Sequence, residues 1–517
     1  MVTWRVGRRA FDGRVGATAG LATAFCGPLV FYECDLVAEG WAAFWSVGLM
    51  LLLFRGERSK SRLLFFAIGL CGALAILTRP TFLPFVAVAC LWIVGKCLGE
   101  RASRRAAGGQ LACLCLGFIL AAGPVSLLFK QATGRLGILP LSGGLNAYIG
   151  NNADRCSTLN IRPATPQWDD LIEPSAAAGC ETDDDQSRWY YRQVREFAAD
   201  HPVEFVGGLG EKTMQFFSSR EIPRNEDVYA FRESSGLLSL LVWKAGNFGF
   251  PSGLLVPLAV TGALLSFRRA PAPLILFVVL YPLAVISVFV SSRYRVPALP
   301  LLLVLAAAAA VGIVDRLRVR RWGSAVGGVC LAAGIAVVSS VPGPFCEEGV
   351  NYAAELRVWG GDAAMAAGDR TRARGEYEEA LRLDGGAYLP RARLAHLLAQ
   401  TGDYEGSLGH WDSLLERDPH PRTYVQRGDA HLGRRDSEAG LRDYNRAIEL
   451  RPDLAEAYCR RGLVYREQGR LEEARRDWER ALAIHKEGRA ADQARAFLQQ
   501  LSPARNGLGS SGGRGGS

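Results

Sequence analysis

The sequence predicts an all-α protein in two parts, a polytopic transmembrane helical bundle of about nine spans followed by a soluble α-solenoid of helical repeats. Two observations carry that expectation. Nine largely charge-free apolar stretches crowd the first 341 residues, and a 34-residue pattern recurs four times between residues 354 and 488. The composition of the whole chain, 49% hydrophobic and 21% charged, looks average because it is the mean of an oily front and a charged back.

Charge-free runs of roughly 17 to 25 residues, the length that crosses about 30 Å of hydrocarbon, fall at 15–32, 36–54, 111–129, 250–267, 270–290, 296–314 and 323–341. Two shorter runs, 63–78 and 81–95, are interrupted only by Arg79 and Pro80, which predicts a tight helical hairpin turning at a membrane face. Five spans thus lie within 1–130 and four within 250–341, separated by an extracytoplasmic loop or small domain over 131–249. A linker at 342–353 leads to the repeats and a cap helix over 354–501, and the Gly/Ser-rich tail 502–517 reads as disordered.

Orientation follows from the basic residues, since short loops rich in Lys and Arg stay cytoplasmic. Arg5, Arg8, Arg9 and Arg14 hold the N-terminus inside, and every alternate loop is basic: Arg55, Arg58, Lys60 and Arg62, then Lys96, Arg101, Arg104 and Arg105, then Arg268 and Arg269, then Arg316, Arg318, Arg320 and Arg321. An odd number of spans then puts the repeats on the far side. The location expected is a bacterial cytoplasmic (inner) membrane, multi-pass, with the N-terminus cytoplasmic and the repeats periplasmic or otherwise extracytoplasmic. The net charge of +9 is mostly this topology, and it is no sign of nucleic-acid binding. Acidic Glu33 and Asp35 follow the first apolar run where a signal peptide would have a small-residue cleavage site.

In the 131–249 segment, Cys156 and Cys180 sit in a compartment that permits disulfides, so their pairing is one expectation and two free thiols the other. The acidic run Glu181, Asp183, Asp184 and Asp185 lacks the spacing of a calcium loop and reads as a solvated loop. Aromatics at helical spacing from Arg188 to Phe217 predict a helix pair lying over the membrane surface, and 236–243 reads as interfacial too.

Each repeat, 354–387, 388–420, 421–454 and 455–488, has a small residue on its first helix, Gly361, Ala395, Gly428 or Gly462, so that the second helix can approach closely. The bulky Tyr377, Trp411, Tyr444 and Trp478 answer them, followed three residues on by Ala380, Leu414, Ala447 and Ala481, with Pro419 and Pro452 between repeats. This pattern resembles the tetratricopeptide repeat. The resemblance implies stacked helix pairs forming a right-handed superhelix whose groove takes a protein or peptide partner.

Charge near a bilayer is seldom placed idly, so polar groups at the outward face are the candidate site. Three turns qualify: Phe31 to Leu36 with Glu33 and Asp35, and Glu39 one turn beyond; Thr78-Arg79-Pro80; and Ser292 to Pro297 with Arg293, Tyr294 and Arg295. Arginines on outward turns run against the positive-inside bias, and guanidinium forks match phosphate bidentately, which points to a lipid-phosphate head group; snorkelling to ordinary membrane lipid gives the same pattern. A fourth stretch, Gly143-Gly144-Leu145-Asn146-Ala147-Tyr148-Ile149-Gly150-Asn151-Asn152, combines glycines suited to tight turns with neutral partners suited to sugar hydroxyls.

These blocks, "FYECDL", "LTRP", "SSRYRVPALPLL" and "GGLNAYIGNN", resemble in order those of the C-type (GT-C) membrane glycosyltransferases related to protein O-mannosyltransferases and lipid A aminoarabinose transferases, glycosyltransferase family thirty-nine in type. The resemblance covers residues 1 to about 341. It implies transfer of a sugar from a polyprenyl-phosphate donor to an extracytoplasmic acceptor. Glu33, Asp35 and Glu39 are then the carboxylates available for catalysis, Arg79, Arg293, Tyr294 and Arg295 hold the donor phosphate, and Asn146, Tyr148, Asn151 and Asn152 contact sugar or acceptor. No cofactor is implied beyond the donor, and a divalent metal is compatible with the chemistry. Family members carry further spans and a large acidic outward loop before the segment with which this sequence opens, so the resemblance implies either an N-terminally incomplete chain or one that no longer catalyses. Two other readings stand beside it: a non-catalytic membrane anchor that presents the repeats to partner proteins, and an oligosaccharide ligase or polymerase.

Overall fold

The computed structural model describes all residues except 35–37, 60, 100–103, 164, 181, 225, 344–349, 485–488 and 502–517. The chain divides into two compact units, one of Met1–Ile161 with Leu171–Val350 and one of Arg162–Asp170 with Asn351–Ser517. Both are helical, as the hydrophobic patterning predicts.

At the middle of the first unit runs the helical stretch Ser292–Arg318, with 78% of its apolar window buried. Helices Ala107–Thr133 and Trp322–Ser339 are also strongly apolar, yet only 17% and 11% of theirs is covered by protein. These three are the described helices long and apolar enough to cross a membrane, or four if Gly13–Ala24 and Gly27–Cys34, bent by 51°, make one broken span. That differs from the nine apolar stretches read from the sequence. The reason is that helices end earlier than apolarity does: Arg62–Thr78, Pro80–Lys96, Ser252–Ser266 and Ala272–Ile286 are apolar but no longer than 17 residues. Helix Ala38–Gly56 carries Glu39 in its first turn and Arg55 in its last.

Close backbone contact locks one pair of these helices. A Cβ on Gly69 would lie 1.9 Å from the Leu114 carbonyl oxygen, and one on Gly117 would lie 2.1 Å from that of Phe66. Only glycine permits that approach of Arg62–Thr78 to Arg104–Thr133. The expected break at Arg79-Pro80 is also present. Pro80 restricts its predecessor to extended backbone, and Arg79 adopts φ −147°, ψ 112° between Arg62–Thr78 and the short 3₁₀ turn Pro80–Phe82.

The segment between the two groups of apolar helices departs from the sequence reading in three places. The "GGLNAYIGNN" stretch is a helix, Gly143–Gly150, and not a glycine turn. Its glycines serve close packing, because Cβ atoms on Gly144 and Gly150 would stand 1.9 and 2.0 Å from the carbonyl oxygens of Ser187 and Val288. Asp183, Asp184 and Asp185 form the first turn of helix Asp183–Asp200, capped by Thr182, where carboxylates favour the helix dipole; they are not a solvated loop, and Glu181 lies outside the described residues. Cys156 is disulfide-bonded while Cys180 is a free, half-buried thiol, so the two do not pair with each other. Helix Gly236–Leu241 leads into a two-stranded hairpin, β1 Trp243–Ala245 and β2 Phe248–Phe250, with Ala245 opposite Phe248. Gly246 at φ 58° and Asn247 make its turn, a pairing that favours two-residue hairpins.

The second unit contains four helix pairs, Tyr352–Ala366 with Arg370–Leu383, Tyr388–Gln400 with Tyr404–Leu415, Pro421–Gly433 with Ser437–Leu450, and Ala455–Glu467 with Leu471–Ile484, followed by Arg489–Leu501. Small faces bulky as the spacing predicts. A Cβ on Gly361, Gly428 or Gly462 would stand 2.4, 2.7 or 2.6 Å from the ring of Tyr377, Tyr444 or Trp478. Those rings and Trp411 are at most 1% exposed. The Tyr377 and Tyr444 hydroxyls each donate to the aspartate that follows the small glycine, Asp362 and Asp429, at 2.7 Å.

Candidate functional site

Three sequence-distant turns of the first unit meet at Glu39. Its carboxylate is 1% exposed at the start of helix Ala38–Gly56 and forms ion pairs with Arg79 and, at 3.5 Å, with Nε of Arg293. Tyr294 is close to both cations: the Arg79 and Arg293 guanidinium carbons stand 4.9 and 5.5 Å from its ring centre. The ring itself is fixed edge-on against Phe289 at 5.2 Å, and the Tyr281 hydroxyl donates to the Tyr294 carbonyl at 3.0 Å. Glu33, exposed, packs beside Gly40, where a Cβ would lie 3.3 Å from its Cγ. Asp35 lies outside the described residues.

Arg295 does not join this cluster. It is 2% exposed, and its guanidinium donates to the carbonyls of Arg220 at 2.8 Å and Ser218 at 3.0 Å. Ser292, three residues before it, donates from its amide and its hydroxyl to the Ile222 carbonyl, at 2.7 and 3.0 Å. Together these bonds seat the segment after helix Pro202–Phe216 on the start of the central helix. Arg295 thereby positions the turn that carries Arg293 and Tyr294.

The asparagine stretch forms a second polar cluster, and most of it faces inward. Asn151, 4% exposed, donates to the carbonyls of Ala147, Ser287 and Val288 at 2.8, 3.0 and 3.3 Å, and its Oδ1 accepts from Lys212 Nζ at 2.6 Å. Lys212 also reaches the Gly150 and Val288 carbonyls at 3.2 and 3.3 Å. Burial and the nearby charge of Arg155 press its ammonium down to about 8. Asn152 donates to the Tyr148 carbonyl at 2.7 Å and to the Thr158 hydroxyl at 3.0 Å. Asn146 and Tyr148 are half-buried; the first has a long 3.5 Å side-chain contact to Ser142, and the ring of the second lies 5.4 Å from that of Tyr190, tilted by 45°. Of the four residues expected at a sugar, Asn151 and Asn152 are thus buried and bonded to the protein itself, while Asn146 and Tyr148 are partly exposed. Lys212 escapes sequence reasoning, because a single lysine on an amphipathic helix gives no signal for burial.

Among the described residues no three His, Cys, Asp or Glu side chains gather as a metal ion would require.

In the second unit, models of the tetratricopeptide repeat match residues 360–420 and 455–487. No curated protein matches the chain. Solved structures similar to it include a tetratricopeptide repeat protein from Parabacteroides merdae, 21% identical over 28% of this chain and 59% of that one, TM-score 0.25. A thermophilic TPR protein of Thermus thermophilus is 20% identical over 29% of this chain and 83% of that one, TM-score 0.26. The first TPR of RPAP3, solved with an HSP90 peptide, is 25% identical over 22% of this chain and 90% of that one, TM-score 0.20. Residues 360–420 and 455–487 are therefore tetratricopeptide repeats, and the helix pair between them shares their small-to-bulky packing.

Proposed function

We propose that the first unit is a membrane-embedded sugar transferase of the C type that holds a polyprenyl-phosphate sugar at its outward face, with the phosphate on Arg79 and Arg293. The observation that carries this reading is the convergence of residues 39, 79 and 293. Two guanidinium groups around one buried carboxylate leave a positive charge in excess, in a setting where a cation is costly without a purpose. Arg79 Nε and Ser291 Oγ are buried and make no hydrogen bond among the described residues, as polar atoms awaiting a ligand would be.

A lipid surround is supported by the bare flanks of Ala107–Thr133 and Trp322–Ser339, where Leu116, Ile119, Leu128, Val337 and Val338 are each more than half exposed. The disulfide at Cys156 supports an oxidising, outward compartment for the segment that carries it.

In the reaction an acceptor hydroxyl oxygen bonds to the anomeric carbon as the carbon–oxygen bond to the lipid phosphate breaks, and the electron pair leaves with the phosphate. Arg79 and Arg293 stabilise that charge. Glu39 is engaged by both arginines and holds them in place, so the hydroxyl proton is assigned to Glu33, exposed and packed beside Gly40. The acceptor side is assigned to Asn146 and Tyr148, and the repeats recruit a protein or peptide partner.

The test is donor binding by the full chain in lipid nanodiscs. Arg293→Ala should weaken a polyprenyl-phosphate sugar by about 1.5–3 kcal/mol, the worth of a charged hydrogen bond. Unchanged affinity in a folded variant sinks the assignment. The scaffold reading is favoured by one observation of its own, that the family models match the repeats. It predicts partner capture with no donor binding.

A further inference from the structure

The repeat unit is not made of repeats alone, because residues 162–170 of the segment between the apolar helices belong to it. Arg162 donates from Nε to Glu355 at 2.7 Å and stands 5.9 Å from the Tyr352 ring, both on the first helix of the first repeat. Gln167 donates to Asp418 at 3.2 Å. Asp169, 7% exposed, pairs with Arg422 Nε at 2.9 Å. Asp170 accepts from Arg451 at 2.7 Å and lies 3.3 Å from Nε2 of His420, a residue 5% exposed. Thr165 and Pro166 are buried as well.

From these contacts we infer that His420, Arg422 and Arg451 form a docking pocket for a pair of adjacent carboxylates, and that its resident occupant is the chain's own Asp169-Asp170. The charge pattern is complementary in both directions. The segment offers a cation at Arg162 to an acidic residue of the first repeat and two anions to basic residues of the third. Such alternation fixes one register and rejects a shifted one. His420 sits at the N-terminal end of helix Pro421–Gly433 and Arg451 follows helix Ser437–Leu450, so the pocket is built where two helix ends meet. An external partner that carries two adjacent acidic residues has to displace this segment, whose effective concentration is high because it is tethered in the same chain. The array is therefore closed in cis until a competing acidic segment opens it. This inference stands apart from the sugar-transfer reading, since it uses none of the residues around Glu39.

The experiment measures, on the full chain in nanodiscs, binding of a fluorescent synthetic peptide with the sequence of residues 162–175. Wild type should bind it at least tenfold more weakly than Asp169→Asn/Asp170→Asn, whose pocket is vacated without touching the repeats. Adding Arg422→Ala/Arg451→Ala should remove the binding. Hydrogen exchange of the amides of 167–170 should quicken tenfold or more in both variants while the repeat helices stay protected, which keeps a folding defect distinguishable from release. Equal peptide binding by wild type and the Asn variant, no binding by either, or unaltered exchange overturns the inference.

Discussion

Glu39 shows how a residue's role depends on what it meets. Read along the sequence it is one of three carboxylates near an outward turn; in the fold it is the buried counter-charge that gathers Arg79 and Arg293. Arg295 and Arg293 are two positions apart, yet one bonds backbone carbonyls and the other faces the cluster. Nothing in the sequence separates them, because the difference lies in a chain segment some 75 residues away. Lys212 gives a prediction at this scale. Its folded value of about 8 lies below the ordinary lysine value of 10.5, so between those pH values the unfolded chain binds more protons than the folded one. Stability should therefore rise as pH climbs from 8 toward 10.5, by at most about 1.4 kcal/mol per unit. Lys212→Met should flatten that slope in thermal unfolding followed across this range of pH. A slope that persists in the variant would reject Lys212 as its source.

At the scale of elements the repeats are the most legible part, since a small residue and a bulky one at fixed spacing are a direct statement of helix-on-helix approach. What the spacing leaves out is the buried ion pairs behind those positions. Arg427 forks onto Asp443 at 2.6 and 2.9 Å, and Arg461 onto Asp477 at 2.7 and 2.8 Å, each one residue before the small glycine and the bulky ring. The turn inside each repeat carries a further signature. Gly368, Gly402 and Gly469 adopt φ of 80°, 86° and 76°, and the third repeat places Arg435 there at φ 66°. A side chain in that left-handed conformation costs about 1–2 kcal/mol. Arg435→Gly should accordingly stabilise the array by about 1 kcal/mol, seen as a higher midpoint in thermal unfolding; a lower midpoint would mean that the arginine makes contacts outweighing its strain. The apolar helices are legible in place but not in extent, because hydropathy does not mark where a helix bends, as at residues 24–27, or stops short. The hairpin of Trp243–Phe250 escapes the hydropathy reading, although Gly246-Asn247 between aromatics is its signal.

At the scale of the molecule, a bundle of apolar helices and an array of tetratricopeptide repeats share one chain. The alternation of basic loops predicts opposite sides for the two chain ends. Protease added to intact spheroplasts should then remove an epitope placed after Leu501 and spare one placed before Met1; protection of both would reverse the orientation and put the Glu39 cluster on the cytoplasmic side. The asparagine stretch is legible as polar, but its direction is not, since Asn151 and Asn152 spend their amides on the protein's own carbonyls. The central claim is that Arg79 and Arg293 hold a lipid-borne phosphate. Native mass spectrometry of the full chain released from its own membranes tests it most directly. Wild type should retain an adduct with the mass of a polyprenyl phosphate or its sugar, and Arg79→Ala/Arg293→Ala should lack it. An adduct absent from wild type, or kept equally by the double variant, would contradict the claim.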